Sequence, residues 1–171
     1  MTASADLLID AFGRVREGVH EVLEGLRTDE VAERIDDGAN SIGWLVWHLT
    51  RVQDDHVADA AGTAQVWQEE GWHQRFGLPY AADATGYGHS AQEVAAFRGV
   101  SARTLSDYHD AVHQRSVAYV ADLRGSDLDR VVDTRWDPPV TLAVRLVSVI
   151  ADDLQHVGQA AFVRGSLRRR G

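Results

Sequence analysis

Cysteine is absent from the sequence. That excludes disulfides, thiolate zinc sites and a cysteine nucleophile supplied by this chain, although it does not fix the redox compartment. Positive charge is scarce too: 26 acids stand against 17 lysines plus arginines, for a formal net charge of −9. Non-specific binding to nucleic acid or to an anionic membrane needs a positive surface field, so neither class of partner is expected. The basic residues of the tail, Arg164 and Arg168 to Arg170, read as a short solvated terminus. No uninterrupted apolar run reaches the roughly 20 residues of a membrane span, and the best candidate is broken by Arg145. The opening MTASADLLIDAF has no basic segment followed by an apolar stretch, so no secretory signal is read and the cytoplasm is the default location.

What is present suits one well-filled core. The length is 171 residues, hydrophobic residues make up 44% and charged residues 25%, an ordinary globular composition that does not force a second domain. Four helical segments are expected, at about 3–26, 41–61, 91–123 and 139–163. In the first, Leu7, Leu8, Val15, Val19, Val22, Leu23 and Leu26 fall near helical spacing, while Gly13 and Gly18 weaken it and leave packing to hold it. The second carries Ile42, Leu45, Val46, Leu49 and Val52 on one face, with Asn40 or Ser41 as cap and Gly62 beyond its end. Ser90-Ala-Gln-Glu93 fits a capping box at the head of the third, which is expected to break near Gly99. Pro138 and Pro139 suit the entrance of the fourth, before a stop near Gly165. Period-2 alternation is confined to VVDTRW at 131–136, a candidate short extended connection. The fold class is therefore all-α, a four-helix bundle.

One connection is far too long for a bundle. Residues 63–89 exceed the 2–8 residues usual between neighbouring helices, yet they hold Trp67, Trp72, Phe76, Tyr80 and Tyr87. Disordered linkers are poor in aromatics, so this crossover is expected to pack down. It either simply lets two helices run parallel or also covers a ligand site.

The chemistry-bearing residues lie in two segments. In ADDLQHVGQ, residues 151–159, Asp152 and His156 are four apart, about 40° around a helix, and point the same way one turn apart. That is the spacing with which a helix offers two ligands to one ion. Asp153 is displaced to the other side, facing solvent or a supporting partner. In SIGWLVWHL, His48 is flanked by Trp44, Leu45, Trp47 and Leu49, and is expected to be at least half buried. A core histidine is most often just hydrogen-bonded; a helix bringing His48 to Asp152 and His156 would instead supply the three protein ligands of an open metal site. Asp55 lies about 10.5 Å further along the axis and His56 about 80° around it, both outside the triad. His20, His73, His89, His109 and His113 have no such pattern and read as surface or loop residues.

The motifs Ser-x-x-Trp-Leu-x-x-His-Leu, around His48, and ligand-x-x-x-His-x-Gly-Gln, at Asp152 to Gln159, together resemble the DinB-like four-helix-bundle superfamily over essentially the whole chain. The branch most resembled includes mycothiol-dependent enzymes such as maleylpyruvate isomerase. The resemblance implies a metal held by His48, Asp152 and His156, with Asp152 where many members have histidine and the mycothiol-dependent branch has glutamate. It implies a homodimer, and a reactive sulfur supplied by a small thiol such as mycothiol. Two imidazoles and a carboxylate suit zinc first and also admit nickel, iron or manganese. The expected activity is metal-dependent transfer or isomerisation of an electrophilic small molecule, with Trp44, Trp72, Tyr87 and Gln159 as candidate substrate contacts. A metal-dependent hydrolase of a small substrate and a non-enzymatic, metal-binding dimeric bundle remain open beside it.

Overall fold

A computed structural model describes residues 2–169. Four long helices form the bundle: α1 (Ala3–Leu23), α3 (Ile42–Ala61), α7 (Ala102–Ala121) and α8 (Leu142–Arg168). Each begins on a hydroxyl cap, Thr2, Ser41, Ser101 and Thr141, whose side chain accepts from an amide in the first turn. Such caps satisfy donors that the helix itself leaves unpaired. Four short helices, α2 (Thr28–Val31), α4 (Val66–Glu69), α5 (Trp72–Phe76) and α6 (Ala91–Ala95), lie in the connections. A 3-10 turn at Gly125–Asp129 precedes an antiparallel hairpin of β1 (Val131–Asp133) and β2 (Val140–Thr141).

Side-chain pairs give the directions. His48 and Asp59 of α3 meet His156 and Arg145 of α8, so these two helices are antiparallel. Thr50 and Ala60 of α3 meet His109 and Tyr119 of α7, so those two run parallel. The long crossover makes that possible, and it packs down: Trp67, Trp72 and Phe76 are buried against Tyr108. The buried Asp54 carboxylate anchors its start by accepting from the amides of Val66 and Trp67 at 2.9 and 2.8 Å.

Several boundaries differ from expectation. Helix α1 stops at Leu23 rather than Leu26, and the chain turns through Gly25 at φ +71. Helix α8 starts at Leu142 because 140–141 are drawn into the hairpin, so Pro139 is not its first residue. It then continues past Gly165 to Arg168. Arg164 is no free basic tail: its guanidinium donates to the carbonyls of Glu21 and Glu24 at the end of α1. Gly18 has a packing reason, since a Cβ there would lie 2.5 Å from Val157 Cγ1 of α8. The stretch 131–136 is a strand and turn of the hairpin rather than a simple link. Among the described residues, no helix is long and apolar enough to cross a membrane.

Candidate metal centre

His48, Asp152 and His156 each bring one potential ligand atom to a common point, all lying within 4.8 Å of one another. Their positions follow from helix geometry. Residues 152 and 156 share a face of α8, and the antiparallel approach of α3 sets His48 opposite them, with the two imidazole centroids 4.8 Å apart. His48 is 7% exposed, whereas the side chains of His156 and Asp152 are 17% and 40% exposed, so the group opens to one side.

The tautomers can be read from the partners. His48 Nδ1 lies 2.6 Å from the carbonyl oxygen of Thr85, which can only accept, so Nδ1 carries the proton and Nε2 keeps its lone pair. His156 Nδ1 donates to Gln159 Oε1 at 2.9 Å, which leaves its Nε2 in the same state. That Nε2 stands 3.6 Å from Asp152 Oδ1, too far for a hydrogen bond. The other carboxylate oxygen, Oδ2, is buried without a partner. Two nitrogen lone pairs and a carboxylate thus converge with no donor between them. Acceptors arranged this way fit a divalent cation with imidazole and carboxylate affinity, and each ring is oriented from behind by an oxygen, as ligating histidines usually are. Burial holds the His48 imidazole below its usual pKa, outweighing the hydrogen bond to Thr85, so the ligand nitrogen stays free of a competing proton at neutral pH.

The crossover builds the back of the site. Three carbonyls of one stretch are held by α3 and α4: Trp67 Nε1 donates to Ala82 at 3.0 Å, Arg51 Nε to Ala84 at 3.1 Å and His48 to Thr85. Gly86 follows, at φ +94, where a Cβ would sit 2.8 Å from His48 Nδ1 and 2.9 Å from Trp47. Only glycine lets the backbone come this close. Trp44 stacks on the His48 ring, centroids 4.8 Å apart and planes 18° apart, and its indole nitrogen donates to His89 Nδ1.

A cleft of about 430 Å³ leads to His48 and Asp152. Its walls come from α3 (Val52, His56), from α8 (Val144, Arg145) and from the hairpin (Asp133, Trp136). Arg145 is buried and ties the hairpin down, donating to Asp59 at 3.0 Å and to Asp133 at 3.4 Å. Its Nη1 also faces His56 Nδ1 at 3.3 Å, which places that ring's proton on Nε2. Arg145, Trp136 and Asp133 carried no signal beyond a broken apolar run and a three-residue alternation. Only the folded hairpin brings them to the cleft.

The candidate substrate contacts separate. Tyr87 lines the cleft and is 93% exposed. Trp44 and Gln159 back the two imidazoles instead. Trp72 lies elsewhere, in the aromatic cluster with Phe76 and Tyr108. Two assignments of titratable residues need correction. Asp153 is fully buried rather than facing solvent, because α8 turns residue 153 into the core beside Val149 and Leu146, and neither carboxylate oxygen has a partner. Burial and the neighbouring Asp152 push its carboxyl well above the usual range, so it is neutral in the core. His109 is likewise a core residue, fully buried, with Nδ1 3.1 Å from Thr50 Oγ1. Asp55 accepts from Gln65 and stands apart from the triad.

Comparison with known proteins identifies the family and the fold. The Mycothiol-S-transferase family profile matches residues 7–169. A conserved protein from Enterococcus faecalis, known from its crystal structure, is similar at 29% identity with a TM-score of 0.89, over 96% of each chain. No protein with curated annotation matches significantly.

Proposed function

This chain belongs to the mycothiol-S-transferase family, and from that premise we propose that it is a divalent-metal-dependent enzyme that joins a small thiol, mycothiol or a close analogue, to an electrophilic small molecule. The convergence of His48 Nε2, His156 Nε2 and the Asp152 carboxylate, with His48 and Asp152 lining a cleft, carries the reading. Zinc is the leading metal. A divalent cation held there would lower the pKa of an incoming thiol and so supply a thiolate near neutral pH to a chain that has no cysteine of its own.

The remaining work falls to side chains. His48, Asp152 and His156 would hold the cation. Thr85 and Gln159 hold the two rings so that both lone pairs point at one place. His56 has its ring proton on Nε2, and burial first, then the Arg145 charge, lowers its pKa, so it serves as a neutral donor at that atom rather than as a base. Trp136, 67% exposed, and Tyr87 offer broad aromatic faces at the cleft for the body of the thiol or its electrophile. The thiolate attacks the electrophilic carbon, a carbon–sulfur bond forms, and the leaving group departs with the bonding pair.

The test is thiol consumption with mycothiol and an alkylating electrophile, with and without chelator. Chelator-sensitive conjugation that returns on adding zinc is expected. Turnover of esters but not of thiol would make the protein a hydrolase, and no chelator-sensitive turnover of either would make it a metal-binding bundle.

A further inference from the structure

Arg51 is a guanidinium in the interior of the bundle. Its side chain is fully buried, and the carboxylate of Asp54, almost as buried and one turn along α3, stands 3.6 Å away. Taking two charges out of water is unfavourable, and an apolar pair of similar volume often serves stability as well. What this pair supplies is a set of directed bonds to one segment, the crossover. Asp54 holds only its start. Arg51 grips both of its ends: Nη1 donates to Gln65 Oε1 at 2.9 Å and Nε to the carbonyl of Ala84 at 3.1 Å, while the guanidinium lies over the Trp67 ring, 5.0 Å from its centroid. The arrangement does not fully satisfy the arginine itself, since Nη2 is buried without a partner.

The consequence falls on His48. His48 and Arg51 are three residues apart on α3, about 4.5 Å along the axis, and they take successive carbonyls, Thr85 and Ala84. The Thr85 carbonyl is the acceptor that keeps the His48 proton on Nδ1. The groups that share the other side of the ring, the Asp152 carboxylate and His156 Nε2, are acceptors as well. Were the Thr85 carbonyl to move away, the proton would find better partners on Nε2, and the atom that faces a cation would be blocked.

We propose that Arg51 is a positioning residue of the metal centre: by holding the Ala84 carbonyl it sets the next carbonyl, that of Thr85, against His48 Nδ1 and so keeps His48 Nε2 free to bind a cation. This rests on the metal reading of the triad, but the tautomer can be read in protein without metal, so its failure is distinct from failure of that reading.

Two-bond proton–nitrogen correlation spectra of the imidazoles distinguish the tautomers at about pH 8, where histidines are neutral. The His48 signals are assigned by their loss in His48→Gln, and metal-free wild type should show the form protonated on Nδ1. Arg51→Met fills similar space without a donor. It should shift His48 toward the form protonated on Nε2 and lower zinc affinity about tenfold. Arg51→Lys keeps the charge beside Asp54 but loses the planar donor fork, so it should shift the tautomer the same way, and it carries the test if Arg51→Met does not fold. Trp67→Phe loses the neighbouring bond to the Ala82 carbonyl and leaves Ala84 and Thr85 held, so its His48 tautomer should match wild type even where stability falls. A wild-type His48 protonated on Nε2, a tautomer unchanged in the folded Arg51 variants, or an equal shift in Trp67→Phe would overturn the proposal.

Discussion

His48 donates its Nδ1 proton to the carbonyl of Thr85 at 2.6 Å, which ties a helix residue to the far end of a crossover 37 positions along the chain. The bond fixes the ring's tautomer and aims Nε2 at Asp152 and His156. The crossover thus acts on the site from behind, through a backbone atom, while its Tyr87 reaches the cleft.

Gly86 is the residue on which that approach depends. Gly86→Val should put a branched side chain against His48 Nδ1 and force a β-branched residue to positive φ, an outlying conformation. Metal affinity is expected to fall by at least tenfold, measured by calorimetric titration of the apo protein, while Gly88→Val, under similar backbone strain at φ +76 but in open space, should lose far less affinity.

Gln159 supports the second imidazole. Loss of such a partner typically costs 10–100-fold in metal affinity, so Gln159→Ala should weaken binding by about that factor, and Gln159→Glu should restore most of it. Equal affinity in Gln159→Ala would show that the hydrogen bond to His156 orients nothing.

Two tryptophans separate substrate contact from core. Trp136→Ala should leave the unfolding free energy within about 0.5 kcal/mol, as for an exposed site, and raise KM. Trp72→Ala should cost about 3–5 kcal/mol in chemical denaturation, because it empties space beside Phe76 and Tyr108.

Acid should destabilise the apo protein through its histidines. Burial lowers the pKa of His48, His56, His109 and His113, and takes that of His109 to about 3. Each stays neutral in the folded chain where the unfolded one takes a proton, so stability is full above pH ~6.5 and declines below it, toward pH 3 for His109. The slope is about 1.4 kcal/mol per pH unit for each such imidazole, and His109→Gln should remove about one such increment. Asp153 acts with the opposite sign. Its raised pKa makes stability fall as pH rises above ~3.8, so Asp153→Asn is expected to be more stable than wild type at neutral pH.

The helices and the Asp152–His156 pair were legible because their causes are local, whereas the approach of His48 was expected from the family resemblance. Caps, heptad-like spacing and the i,i+4 relation of Asp152 to His156 are all written within a few residues. The aromatics of 63–89 announced a packed crossover, and Trp67 and Trp72 are buried there. What could not be read depends on contacts between distant segments. Trp72 and Tyr87 look alike in sequence, and only the fold sends one into the core and the other to the cleft. Arg145 read as a flaw in an apolar run until Asp59 and Asp133 were found around it. Asp153 and His109 are polar residues at core positions, where charge pattern alone assigns them to the surface.

Equilibrium titration of metal-free protein with zinc, run beside His48→Ala, Asp152→Ala and His156→Ala, tests the central claim most directly. One ion bound per chain by wild type, and affinity lower by at least tenfold in every variant with the melting temperature of the apo form retained, is the predicted result. Unaltered stoichiometry and affinity in any one of the three would contradict it.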